Sequence, residues 1–244
     1  MGIPYMKTQK ENVSKFNSDV IANAGYRYTS NAPYSSEVAN ARITAAIIGF
    51  IRQDIKTVID IGCGDGTYTH HLQSLFSDIS VTGIDPAKEA VELAKQKFPG
   101  GDYQVGDLLD PATFPKNKFD LGIVRGVIHH LPDAARGIAN ATLLSDKVLI
   151  IEPNGNNLIL KWIEKHSQYH IDHEEQSFTS KQLIVWCGAT GYRVIGLDFI
   201  GFVPFFFPTS LSRIIHFFQP FLEKIYPLKK YFGAQIVIAM EKPR

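Results

Sequence analysis

Cysteine is nearly absent: Cys63 and Cys187 are the only two in the chain. Two are too few for a disulfide framework, and no Cys-x-x-Cys pair suggests a metal or redox site, so a reducing cytosol is the expected setting. An excess of one charge is also missing, since 25 basic against 24 acidic residues leave a formal charge of +1. Nothing global therefore steers the chain toward nucleic acid. No run reaches the roughly 18 uninterrupted apolar residues of a membrane-spanning helix, and the polar start MGIPYMKTQKENVSK lacks the apolar centre of a secretory signal. A cytoplasmic protein without a nucleic-acid partner is expected. Apolar content is not scarce: 244 residues, 45% hydrophobic and 20% charged, can fill the core of a globular domain.

The apolar residues follow an alternating rhythm. SEVANARITAAIIGFIR places Val38, Ala41, Ala45, Ile48 and Ile51 at three- and four-residue spacings, which predicts an amphipathic helix over 36–52 capped by Ser35 or Ser36. Then come TVIDIG as a buried strand, a helix over 67–76, the strand ISVTGID, a helix over 87–98, strands at DYQVGD and FDLGIV, a helix over 134–144 and the strand KVLIIE. Strands separated by helices of about ten to fifteen residues imply right-handed crossovers and a parallel sheet covered on both faces. The predicted fold is α/β, doubly wound and mostly parallel. Beyond Glu152 a long excursion leads to a capped helix at TSKQLIVWCGATG and a strand at YRVIGLDFI. A last strand, AQIVIAM, could join the preceding one antiparallel at a sheet edge.

VIDIGCGDGTYTHHL carries the strongest functional signal. A strand feeding glycines at 62, 64 and 66 and then a helix brings bare backbone and a positive helix end close to a ligand. Asp85 ends the second strand, where a carboxylate can accept from both hydroxyls of a ribose. Asp107 ends the third strand in QVGDLLD, suitably placed to accept from an exocyclic amine such as that of adenine. Either acid alone would read as a turn or helix cap; three such features at successive strand ends are harder to dismiss.

DIGCGDG, GIDPAKEAVELAKQK and GDLLD, in this order, resemble the first three motifs of the class I S-adenosylmethionine-dependent methyltransferases, and the similarity runs through residues 36–200 and the final strand. The resemblance implies S-adenosylmethionine as cofactor and a seven-stranded Rossmann-like sheet with an antiparallel last strand. It further implies that Asp60, Gly62 and Gly64 border the methionine part, that Asp85 holds the ribose, and that Asp107 and Leu108 meet the adenine amine and face. The nearest flavour is the small-molecule group that includes ubiquinone-biosynthesis and sugar or antibiotic methyltransferases. One domain over 1–244 is then expected, with an N-terminal lid and helix at 1–52, a cofactor-binding core at 53–200, an apolar helical cap at 201–232 and the last strand at 233–244. Two alternatives compete: a nicotinamide-dependent dehydrogenase, whose glycine spacing would require glycine at Thr67, and a non-catalytic module that senses cofactor or docks on a partner or membrane.

Methyl transfer from a sulfonium is an in-line displacement on an activated carbon, so a base is needed only where the acceptor is still protonated. RGVIHHLPD supplies His129 and His130 after the fourth strand, and one of the two is the candidate base. Neighbours on a helix point about 100° apart, so both are not expected to face the acceptor, and a metal site is disfavoured for the same reason. Arg125, at the strand end, could bind the cofactor carboxylate, bind an anionic acceptor or form a surface ion pair. His166, His170 and His173 border the acceptor cavity or face solvent. Glu152 and Asn154 also fall at the ligand edge. Tyr26, Tyr28 and Tyr34 belong to a stretch that could fold over the cofactor.

The least ordinary stretch is GFVPFFFPTSLSRIIHFFQPFLEKIYPLKKYF. Leu211, Ile214, Ile215, Phe218, Phe221, Leu222 and Ile225 recur at helical spacing, with Ser212, His216, Gln219 and Glu223 on another face, and Pro220 should kink or split the helix. Such a cap would bury its apolar stripe on the core. Alternatively it would cover a lipid-like acceptor or contact a membrane surface through 202–231, with Arg213, Lys224, Lys229 and Lys230 nearby for anionic headgroups.

Overall fold

Runs such as Val58-Ile59 and Val148-Leu149-Ile150-Ile151 are apolar at successive positions, so a strand made of them needs cover on both faces. The computed structural model, which describes residues 8–11, 13–14, 17–18, 33–166 and 176–243, provides that cover. Strands β1 (Thr57–Ile61), β2 (Ser80–Asp85), β3 (Asp102–Val105), β4 (Phe119–Arg125), β5 (Ser145–Pro153), β6 (Arg193–Ile200) and β7 (Gln235–Glu241) form one sheet in the order β3-β2-β1-β4-β5-β7-β6. The first five run parallel, and β7 lies antiparallel between β5 and β6.

The core is split by the sheet. Ile59, Val124, Val148 and Ile150 point to one face and pack with Ile138 and Leu183 of the covering helices. Val58, Ile123, Leu149 and Ile151 point to the other and pack with Ile43, Ile47 and Leu72. The helices are α1 (Tyr34–Phe50), α2 (Thr67–Leu75), α3 (Lys88–Lys97), α4 (Ala134–Leu144), α5 (Leu158–His166), α6 (Ser180–Ala189), α7 (Thr209–Leu222) and α8 (Tyr226–Phe232). α6 begins with a capping box in which Thr179 accepts from the Gln182 N–H and the Gln182 side chain accepts from the Thr179 N–H.

Several sequence expectations need correction. α1 starts at Tyr34 after Pro33, whose φ of −64° suits a helix entrance, so Ser35 and Ser36 lie inside the first turn rather than at the cap. Both are fully buried, and both hydroxyls donate to the Phe205 carbonyl at 2.7 and 3.0 Å. α1 also turns differently from its expected stripe: Val38, Ala39, Ile43 and Ile47 are buried, whereas Ala41, Ala45 and Ile48 are exposed. α7 is not split at Pro220 but runs two residues past it. Nor does it bury its apolar stripe; Ser212 and Gln219 are its buried side chains.

Among the described residues no helix is long and apolar enough to cross a membrane.

Candidate active site

Because β1 to β5 are parallel, their carboxyl ends share one edge, and that edge gathers Gly62, Asp85, Asp107, Arg125 and Glu152. Strand order reverses between β1 and β4, the switch point beside which sheets of this kind take their ligands.

The turn after β1 requires its glycines. Gly62, Gly64 and Gly66 have φ of 81°, 55° and 74°, in the left-handed region where a side chain is disfavoured. A Cβ on Gly62 would also lie 2.3 Å from Val127 Cγ2, so the turn and the segment after β4 meet closely at the crevice. The Gly62 and Cys63 N–H groups donate to the Ile84 carbonyl at 2.7 and 2.9 Å, locking the turn against β2.

Asp85 is 7% exposed, and each of its oxygens accepts one backbone N–H: Oδ2 from Gly64 at 2.9 Å and Oδ1 from Ala87 at 2.8 Å. Burial pushes its carboxyl up to about 6, against the two N–H donors and with help from Asp60 and Asp107. Asp60 is buried and accepts from Thr69 Oγ1 at 2.6 Å; burial raises it too, opposed by Thr69 and by the Arg125 charge. Asp107 Oδ1 accepts from the Leu109 N–H at 2.8 Å and from the Gln9 side-chain amide at 2.9 Å. Asn17 Oδ1 accepts from the Glu89 N–H near the start of α3. Two N-terminal residues thus reach this part of the domain, a contact with no signal in the sequence pattern. Leu108 is buried in the core cluster that also contains Ile84 and Ile128.

Arg125 is held by an aromatic ring and an amide. Its guanidinium lies 3.7 Å from the centre of the Tyr68 ring, and Nη1 donates to Asn40 Oδ1 at 2.9 Å, tying β4 to α1 and α2. Beside this junction Asn40, Ala41, Ala45, Ile48, Tyr68 and His71 line an open cavity of about 460 Å³.

The two histidines occupy a single 3₁₀ turn, Ile128–His130, and their rings do not diverge as expected: the centroids are 3.8 Å apart. The turn is bent onto Glu152, which is fully buried at the end of β5. Glu152 Oε1 accepts from the Val127 and Ile128 N–H groups at 2.8 Å each, and Oε2 accepts from the His129 N–H at 3.3 Å. Oε2 also lies 2.6 Å from His129 Nδ1. A carboxylate so placed only accepts, so Nδ1 carries the proton in this contact. The His129–Glu152 pair was not legible in sequence, because it depends on β4 and β5 being neighbours.

His166 sits at the end of α5, with Nδ1 2.7 Å from the Trp162 carbonyl and its ring stacked on that indole. His170, His173, Tyr26 and Tyr28 lie outside the described residues. Tyr34 Oη meets His216 Nδ1 at 2.8 Å, joining α1 to α7.

Residues 58–144 match the family model described as a methyltransferase domain. The chain is 32% identical over 102 residues to trans-aconitate 2-methyltransferase of Azoarcus sp. (strain BH72), covering 42% of this chain and 37% of that one. It is 30% identical over 152 residues to the chloroplastic tocopherol O-methyltransferase of Arabidopsis thaliana, covering 57% of this chain and 41% of that one. The chain therefore spans about two fifths of the length of these curated relatives. Among solved structures, an S-adenosylmethionine-dependent methyltransferase from Anabaena variabilis aligns over 100% of this chain and 98% of its own with a TM-score of 0.68 and 16% identity, a likeness of fold. By its domain match and the likeness of its fold, the chain is similar to the class I S-adenosylmethionine-dependent methyltransferases.

Proposed function

We propose that the protein transfers a methyl group from S-adenosylmethionine to a small, apolar or lipid-like acceptor. One observation carries this: Asp85, buried at the end of β2 with one backbone N–H on each oxygen, faces the left-handed glycine turn across the crevice edge. These residues fit the cofactor, since a carboxylate held in this way keeps lone pairs for two ribose hydroxyls and the bare glycine backbone leaves room beside it. In this reading Asp60, Gly62 and Gly64 border the methionine part, with Arg125 nearby, while Asp107 and Leu108 serve the adenine. When bound, S-adenosylmethionine supplies an activated methyl on a sulfonium. Residues 1–52 act as lid and helix, a role supported by the Gln9 contact to Asp107.

His129 is the base in this proposal and Glu152 its positioning partner. The carboxylate holds the ring, fixes the proton on Nδ1 and balances the imidazolium that forms when Nε2 takes a proton from the acceptor. His130 packs on the His129 ring and limits its motion. Small-molecule acceptors are supported by the relatives named for trans-aconitate and tocopherol; an apolar one is supported by the aromatic cap beyond β6.

An acceptor panel read by mass for the gain of one methylene tests the activity. With an acceptor found, His129→Gln should lower turnover by about 10²- to 10⁴-fold while leaving S-adenosylhomocysteine affinity in place. Unchanged turnover in both His129→Gln and His130→Gln would remove the base. Cofactor binding without transfer to any acceptor would instead favour a non-catalytic module.

A further inference from the structure

The segment after β6 presents its apolar side chains to solvent and turns polar ones inward. Ser212 Oγ donates to the Pro208 carbonyl at 3.0 Å, and Gln219 Oε1 accepts from the Phe202 N–H at 3.0 Å. Just past α7, Glu223 accepts from the Gly201 N–H at 2.8 Å and pairs with the Arg42 guanidinium. The Gln219 and Glu223 bonds set the helix rotation. With that face held inward, Leu211, Ile214, Phe217, Phe218, Phe221 and Ile225 stand between 43% and 74% exposed. The surface continues into α8 with the exposed Tyr231 and Phe232. It then adjoins α5, where the Asn154 and Asn157 amides donate to the Gly233 carbonyl and Trp162 is 63% exposed. A contiguous aromatic surface of this kind is unfavourable in water and marks a contact site.

We propose that this face docks the protein on an anionic membrane surface. Charge identifies the occupant. Residues 201–232 hold four basic side chains, Arg213, Lys224, Lys229 and Lys230, against the single acid Glu223, a formal +3 in a chain whose total is +1. Glu223 is engaged by Arg42, and Lys229 pairs with Asp198. Arg213, Lys224 and Lys230 lie 5.5, 5.7 and 5.2 Å from the ring centres of Tyr34, Phe221 and Tyr231, so the cations sit among the aromatics. Exposed aromatics interleaved with cations suit the interface, where rings enter the headgroup layer and ammonium or guanidinium groups meet phosphates. A second copy is a poor occupant, because two such faces would bring like charges together. The inference does not rest on methyl transfer, and vesicle binding needs no cofactor.

Co-sedimentation of the full chain with vesicles tests it. Equimolar phosphatidylcholine and phosphatidylglycerol vesicles should bind about 100-fold more tightly than phosphatidylcholine alone, with binding that weakens as salt rises. Phe217→Ser/Phe221→Ser and Lys224→Glu/Lys230→Glu should each lower the partition by about tenfold or more, with the unfolding midpoint and S-adenosylhomocysteine affinity unchanged. The two variants act through different chemistry, so misfolding of one leaves the other as the test. No binding to anionic vesicles overturns the proposal, as does binding that both variants retain. A concentration-dependent dimer in light scattering, abolished by Phe217→Ser/Phe221→Ser, would also overturn it by giving the face to a second copy.

Discussion

Asp85 illustrates how one side chain links burial to binding. In the unliganded fold burial favours its protonated form, with a midpoint near 6 against 3.8 for an ordinary aspartate. A carboxyl raised by folding stabilises the native state below its unfolded value, and that contribution is lost as pH rises through about 6. In the proposed site the ribose hydroxyls would donate to the ionised form, so S-adenosylhomocysteine binding should release a proton near pH 6. Its affinity should then fall by up to about tenfold per pH unit below that point. Calorimetry in buffers of different ionisation enthalpy reads this directly, and pH-independent binding without proton release would disprove it. Glu152→Gln probes the other key carboxylate: its amide nitrogen, in the place of Oε2, would set a donor against the His129 N–H and Nδ1–H. We expect a loss of about 1–3 kcal/mol of stability in denaturant melts, together with lower turnover.

At the level of elements, the turn after β1 owes its shape to two separable constraints at Gly62. Ala there should cost about 1–2 kcal/mol for the left-handed backbone, and more for the Cβ that would meet Val127 at 2.3 Å. Val127→Ala in the same background should recover only the steric share, so a double-mutant cycle should show favourable coupling; strict additivity would contradict the close approach. The glycine turn and the first five strands were legible because their signals are local. Glycines answer a backbone need, and double-sided apolar runs answer burial. The rotations of α1 and α7 were not. Periodicity finds a stripe in both, but Phe205 capturing Ser35 and Ser36, and Phe202 capturing Gln219, decide which face turns inward. Those partners lie about 17 or 170 residues away along the chain. Pro220 removes one N–H from α7, yet the helix continues through it to Leu222.

For the whole molecule, strand order was the step from pattern to chemistry. The sequence indicates alternating strands and helices and an antiparallel end, yet only the observed order puts β4 beside both β1 and β5. That adjacency brings Val127 against Gly62 and His129 against Glu152, so the proposed cofactor site also adjoins an oriented imidazole. The central claim is that this crevice binds S-adenosylmethionine through Asp85. Titration of wild type and Asp85→Ala with S-adenosylhomocysteine in a calorimeter at neutral pH tests it most directly. Wild type should bind, and Asp85→Ala should bind roughly 10- to 100-fold more weakly, as the loss of hydrogen bonds to a charged group implies. Equal affinity in the two proteins, or no binding by wild type, would contradict it.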